Sequence, residues 1–350
     1  MQLPKRFGFI FWWFFEGDMD RETTVRTTIL DICRASGYAK STVSAALNGG
    51  KGVGDKARRK ILTIAKEMDY TPNELARSIS SKSYNTIGVI IRDITNPFYA
   101  KVCRALEEMA DRQGYTILIC NTDENPQKVG KAIRTMIGRC VAGIVLDVAV
   151  LDEFIESFLR ENRVPCVVFG RSCEFADSVE ADDQTGLDQA VELLLANGHK
   201  KIAYIGPGAE NMYSVRRYSA IRRRLESKDV QFSEIHCKSI VNNIEAGYEA
   251  VINGFSALDC TAVIAYNDMT AVGIMRAFAE KGLSVPKDIS VVGFDDIETI
   301  AFPLTTVNIP EYEMGMSAME LLLERIKGRK EIRHIVLPTK LIVRGSVAPV

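Results

Sequence analysis

Histidine is scarce: the 350 residues contain three, at positions 199, 236 and 334, and none sits in a nucleophile, metal or triad setting. With so little acid–base material the chain does not read as an enzyme, and no catalytic residue, metal or cofactor is expected. The eight cysteines are scattered, without C-x-x-C or the paired Cys/His spacing of a zinc site. Several fall inside apolar segments such as Tyr115 to Cys120, where a free thiol packs as a small core residue, so a reduced, cytoplasmic setting is expected. A run long enough to span a bilayer, ~20 apolar residues, is also missing. The aromatic block Phe7 to Phe15 has nine residues, five of them Phe and two Trp. It follows Lys5 and Arg6 as a secretory signal would, but Glu16-Gly17-Asp18 offers no small-residue cleavage site behind it. Residues 1–26 are therefore read as an extension, disordered or arising from a start upstream of the true one at Met19. Gly50-Lys51-Gly52-Val53-Gly54 lacks the features of a phosphate loop: it follows a helix pattern, and Asp55 stands where a lysine is needed.

What is present suits a soluble chain of two or three domains, with 47% hydrophobic and 25% charged residues. The formal charge of -1 is unevenly spread. Residues 27–82 hold ten Lys/Arg against five Asp/Glu, residues 1–26 hold four of each, and residues 83–350 must then carry -6. A basic head on an acidic body is what phosphate binding at one end requires.

In that head, Ile29, Ile32, Cys33 and Ala35 recur at helical spacing before Gly37 breaks the pattern. A second helix from Lys40 to Leu47 would bury Val43, Ala46 and Leu47, ending at Asn48-Gly49-Gly50. A third, Asp55 to Met68, would turn Ile61, Ile64 and Ala65 inward and Lys56, Arg58, Arg59 and Lys60 outward. Three short helices with a tight turn between the first two form a helix-turn-helix, whose second helix enters a DNA major groove. Short polar residues at its start, Lys40, Ser41 and Thr42, can reach base edges. Next, Pro72 opens a two-turn helix with Leu75, Ala76 and Ile79 on one side. So short a helix needs a partner; a symmetric copy plus DNA supplies one.

The segment TTILDICRASGYAKSTVSAALNG resembles the head of the lactose-repressor (LacI/GalR) family. The resemblance implies DNA contacts at Thr28, Lys40, Ser41, Thr42, Ser44, Ala45, Asn48 and Lys56, and at Asn73, Ala76 and Ile79 of a hinge helix that wedges an apolar side chain into the minor groove. It assigns operator choice to Lys40 and Ser41. Ala39 and Gly54 depart from the family's polar caps. Ala45 replaces a common arginine, so a thymine methyl rather than a guanine is expected opposite it.

Beyond Tyr84, apolar runs (Thr86 to Ile91, Tyr115 to Cys120, Gly143 to Leu146, Pro165 to Phe169, Lys201 to Ile205, Thr261 to Ala265, Ile289 to Val292) alternate with amphipathic helical stretches. That alternation means parallel sheets in an α/β fold, with ligands beyond the carboxyl ends of the strands. There the chain places Asn, Asp, Arg and aromatic residues, the combination that holds a sugar. IIRDITNPFY, NDMTAVGIMRAF and VVGFDD again resemble the LacI/GalR core, itself similar to periplasmic sugar-binding proteins. The resemblance implies effector contacts at Asn96, Phe98, Tyr99, Arg171, Arg217, Asn267 and Asp295, with Gly170 and Ile309 as departures.

The expected protein is thus an all-α head (27–72), a hinge helix and linker (73–82) and an effector-binding and dimerisation domain (83–350). The last is a two-lobed, periplasmic-binding-protein-like α/β domain whose first lobe takes about 83–179 and 310–338. The expected function is a ligand-responsive DNA-binding regulator, most readily a repressor, that binds a palindromic operator as a homodimer or tetramer and is controlled allosterically by a small sugar or related metabolite. A periplasmic sugar-binding protein is the alternative, but it has no use for residues 27–82.

Overall fold

The computed structural model describes residues 27–70, 84–148, 153–226, 228–237, 243–254 and 259–350. The chain divides into two compact units at Ser83 and Tyr84.

The head is three helices, α1 (Ile29–Ser36), α2 (Lys40–Leu47) and α3 (Asp55–Glu67). Thr28 starts α1 by donating both its backbone N–H (2.9 Å) and its hydroxyl (2.7 Å) to the Asp31 carboxylate. These bonds, the hydroxyl's first, hold Asp31 below the usual carboxylate range. Gly37 ends the helix at φ +77° with its N–H on the Cys33 carbonyl, a conformation glycine reaches without a Cβ penalty. No side chain caps α2 or α3, whose leading residues are Ala39 and Gly54. Ile32, Val43, Ala46, Ile61 and Ala65 form the core. Ala35, expected inward, is exposed, and Ser36 is buried in its place.

The body contains two six-stranded sheets. In the first, with order β11-β5-β4-β3-β1-β2, all pairings are parallel. It comprises β1 (Thr86–Ile91), β2 (Thr116–Asn121), β3 (Gly143–Leu146), β4 (Cys166–Phe169), β5 (Asp177–Asp182) and β11 (His334–Pro338). Helices α4 (Phe98–Arg112), α5 (Pro126–Gly138) and α6 (Glu153–Glu161) connect its first strands, and α11 (Glu311–Ile326) packs on it. The second sheet, order β12-β10-β9-β8-β6-β7, comprises β6 (Lys201–Pro207), β7 (Gln231–Cys237), β8 (Ala262–Ala265), β9 (Ser290–Asp295), β10 (Thr305–Asn308) and β12 (Lys340–Ile342). Only β12 runs antiparallel there. Its helices are α7 (Asp183–Ala196), α8 (Met212–Leu225), α9 (Asn243–Gly254) and α10 (Asp268–Glu280).

The central strands are buried along nearly their whole length, as in Thr86–Ile91 and Gly143–Leu146, because helices cover both faces of a parallel sheet. The chain passes between sheets three times, from β5 into α7, from β10 into α11, and from β11 into β12. Three thin crossings between two rigid layers are the anatomy of a hinge. The carboxyl ends of the strands of both lobes converge on one cleft.

Candidate effector cleft and DNA-facing helix

The cleft spans about 610 Å³, counting its open mouth. Of the seven residues expected there, Asn96, Phe98, Tyr99, Arg217, Asn267 and Asp295 line it. Arg171 does not: its neighbour Gly170 does, at φ +83°, and the cation in that part of the wall is Arg216, from α8. Arg171 itself is half-buried.

From the first lobe, the Asn96 side-chain oxygen accepts the Phe98 N–H at 3.0 Å where α4 begins. Phe98 packs edge-on against Tyr99 and Phe169, with centroids at 5.1 and 6.4 Å. From the second lobe, the Asn267 side-chain oxygen caps α10, accepting the N–H and hydroxyl of Thr270, each at 2.8 Å. Arg217 is 7% exposed and stacks on Phe294 (3.6 Å) and Tyr266 (4.9 Å) while donating to the Tyr266 carbonyl. Asp295 faces it at 3.9 Å. Burial pushes the Asp295 carboxyl well above its ordinary range, against the pull of Arg217. Asp295 also sits at φ +117°, a backbone region side chains avoid and which clusters at functional sites.

Three lining residues that escaped the sequence argument, Asp147, Glu124 and Tyr213, tie the lobes together. Asp147, just beyond β3, accepts the hydroxyls of Tyr99 (2.6 Å) and Tyr213 (3.0 Å) and the Arg92 Nε (3.1 Å). Tyr213 belongs to α8 in the second lobe, so this bond crosses the cleft. Glu124 repeats the pattern, accepting from Arg92 of its own lobe at 3.0 Å and from Asn211 of the other at 3.2 Å. Burial raises Glu124 above the usual carboxylate range, partly offset by Arg92. The Arg92 guanidinium lies 4.1 Å from the centroid of the Tyr213 ring. Outside the lining, Lys101 of α4 pairs with Glu298, just beyond β9, at 3.2 Å. Carboxylates, guanidiniums and ring faces so arranged bind a small polar molecule by closing around it. Among the described residues no group of His, Cys, Asp and Glu could hold a metal.

In the head, Lys40 and Ser41 are exposed at the start of α2, and Thr42, Ser44 and Ala45 are half-buried. Ser44 and Asn48 are bonded to each other, Nδ2 to Oγ, at 3.3 Å. Lys56 and Arg59 are exposed on α3. Arg58, expected to face outward with them, is half-buried instead and donates to the carbonyls of Ala46 (3.2 Å) and Gly50 (2.5 Å). Lys60 likewise gives its ammonium to the Ser36 carbonyl at 3.0 Å. Two of the four basic residues expected on the outside of α3 thus serve the fold. Asn73, Ala76 and Ile79 lie outside the described residues.

Residues 28–73 match the profile of bacterial regulatory proteins of the lacI family, and residues 191–347 match a periplasmic binding protein-like domain. The HTH-type transcriptional regulator DegA of Bacillus subtilis is 32% identical over 334 residues, 93% of this chain and 99% of the relative. The chain belongs to the lacI family of bacterial regulatory proteins. The HTH-type transcriptional repressor PurR of Vibrio parahaemolyticus is 31% identical over 91% of this chain and 98% of its own. In fold, the operator-bound Lac repressor dimer superposes with a TM-score of 0.79 at 24% identity, covering 92% of this chain and 99% of that one. A LacI family regulator from Enterococcus faecalis with bound ribose is 30% identical, with a TM-score of 0.67 over 76% of this chain and 99% of that one. As a lacI-family member the protein is a DNA-binding transcriptional regulator with an effector domain, not an enzyme, and the periplasmic-protein alternative falls. Among the described residues no helix is long and apolar enough to cross a membrane.

Proposed function

We propose that this regulator is a cytoplasmic repressor that grips a palindromic operator as a homodimer and is switched by a monosaccharide-sized sugar in the interlobe cleft. The observation that carries the reading is the cleft wall itself: Phe98, Phe169, Tyr213 and Tyr266 supply ring faces beside the polar groups of Asn96, Arg217, Asn267 and Asp295, the mixture a sugar ring demands. Support comes also from the ribose held by the Enterococcus faecalis relative. On this reading residues 27–72 form the reading head and 73–82 a hinge and linker. Lys40 and Ser41 choose bases, Thr28, Thr42, Ser44, Ala45, Asn48 and Lys56 complete the major-groove footprint, and Asn73, Ala76 and Ile79 enter the minor groove. Residues 83–350 bind the effector and pair the subunits, and tetramers would form as dimers of dimers. An effector shifts the closed–open equilibrium by its differential affinity for the two forms, and that shift alters the spacing of the heads.

Thermal unfolding of the full chain with D-ribose, D-glucose and D-galactose tests the effector. At 100 times Kd a ligand adds about 2.7 kcal/mol, a rise of roughly 5–11 °C for a domain of this size. No rise with any neutral sugar, and a rise with a nucleobase instead, would overturn the choice of sugar.

A further inference from the structure

The cleft carries five carboxylates against three guanidiniums, and each guanidinium is committed. Arg92 gives Nε to Asp147 and Nη1 to Glu124. Arg216 holds Glu180 at 3.0 Å and Asp183 at 2.8 Å. Arg217 lies 3.5 Å from Asp183 and 3.9 Å from Asp295. The formal charge of the lining is therefore -2. Among the described residues of the lining, a phosphate or carboxylate entering here meets no guanidinium that is not already paired.

Asp183 stands apart within this set. It is the first residue of α7, where the chain crosses into the second lobe, and it is 3% exposed. Its Oδ2 serves both arginines, with Arg217 Nε 3.5 Å from it, whereas its Oδ1 and that Nε have no hydrogen-bond partner among the described residues. A buried polar atom without a partner is costly. A ligand hydroxyl can donate to such an acceptor and accept from such a donor.

We propose that Asp183 determines effector class: it receives a hydroxyl or amino donor from an uncharged or amino-bearing sugar, and its charge excludes the phosphorylated and oxidised forms of the same sugar. The proposal rests on the sugar reading above. Calorimetric titration of the full chain with D-ribose, D-glucose and D-glucosamine, and with D-ribose 5-phosphate, D-glucose 6-phosphate and D-glucuronate, tests it. At least one neutral or amino sugar should bind about 100-fold tighter than its anionic counterpart, since like-charge juxtaposition is strongly penalised. Asp183→Asn should weaken that sugar about tenfold and narrow the gap to the anion. Anionic forms that bind the wild-type chain as tightly as their neutral parents overturn the proposal while leaving the sugar reading standing, as does a gap unchanged in Asp183→Asn. Silence across the whole panel overturns both. The wild-type comparison needs no variant, so a misfolded Asp183→Asn does not rescue the idea.

Discussion

Removing one oxygen atom, in Tyr213→Phe, isolates the bond that latches the lobes. The Tyr213 hydroxyl donates across the cleft to the buried Asp147 carboxylate at 3.0 Å, and hydrogen bonds to charged groups contribute about 1.5–3 kcal/mol. Asp147 keeps the donors of Tyr99 and Arg92, so it is not orphaned and the lower figure, about 1.5 kcal/mol, applies. The ring stays under the Arg92 guanidinium, so packing is preserved. Because the bond exists only when the lobes meet, its loss should raise the open population about tenfold. Hydrogen exchange read by mass spectrometry should then run about tenfold faster at backbone amides that open with the cleft, while those of α1 to α3 are unchanged. The melting temperature of the body should also fall, by roughly 3–6 °C. A lowered melting temperature with unchanged exchange at the cleft would mean that opening does not break this bond, and the latch argument would be refuted.

The head yields a paired prediction. Arg58→Ala should destabilise the helix-turn-helix by about 2–3 kcal/mol, because the Ala46 and Gly50 carbonyls lose charged donors; Arg59→Ala should leave its melting unchanged but reduce the salt slope of DNA binding by about 1. Identical behaviour of the two variants in calorimetry and salt titration would contradict the division of roles. Buried acids, Glu311 and Asp268 together with Asp295 and Glu124, set a pH dependence. Burial raises Glu311 to about 7 and Asp268 to about 6, so the folded state holds protons that the unfolded chain releases, and stability should fall as pH rises from about 4 to about 7. Glu311→Gln should flatten the upper part of that slope in urea titrations; an unaltered slope would exclude Glu311 as its source. Ile79→Ala should weaken operator binding in gel shifts and leave effector affinity intact, whereas equal loss of both would point to a damaged fold.

The helices of the head were legible because amphipathic spacing and Gly37 are local signals, and the bounds of α2, Lys40–Leu47, agree with the structure. Arg58 was not, since a basic residue on a helix looks solvated until a neighbouring loop brings carbonyls to it. In the body, the apolar runs Thr86–Ile91 and Gly143–Leu146 announce their strands. The strand β5 does not: its Asp177 is fully buried, paired with Arg325 and Arg329 from beyond its own sheet segment. A pairing across some 150 residues has no local trace. The same reason hid Asp147, Glu124, Tyr213 and Asp183, whose place in the cleft depends on two lobes meeting. Arg171 illustrates the converse, since counting along the chain located the turn whose Gly170 lines the cleft, while Arg171 itself is not among the lining residues.

Regulation of this kind requires coupling between the two ends of the molecule. Fluorescence anisotropy of the full chain on an operator selected from random DNA, titrated with whichever sugar stabilises the body, measures that coupling directly. A shift in operator affinity of about 5–150-fold on saturation with sugar, the ordinary range of allosteric coupling, is the predicted result. Operator affinity that is identical with and without a sugar known to occupy the cleft would contradict it.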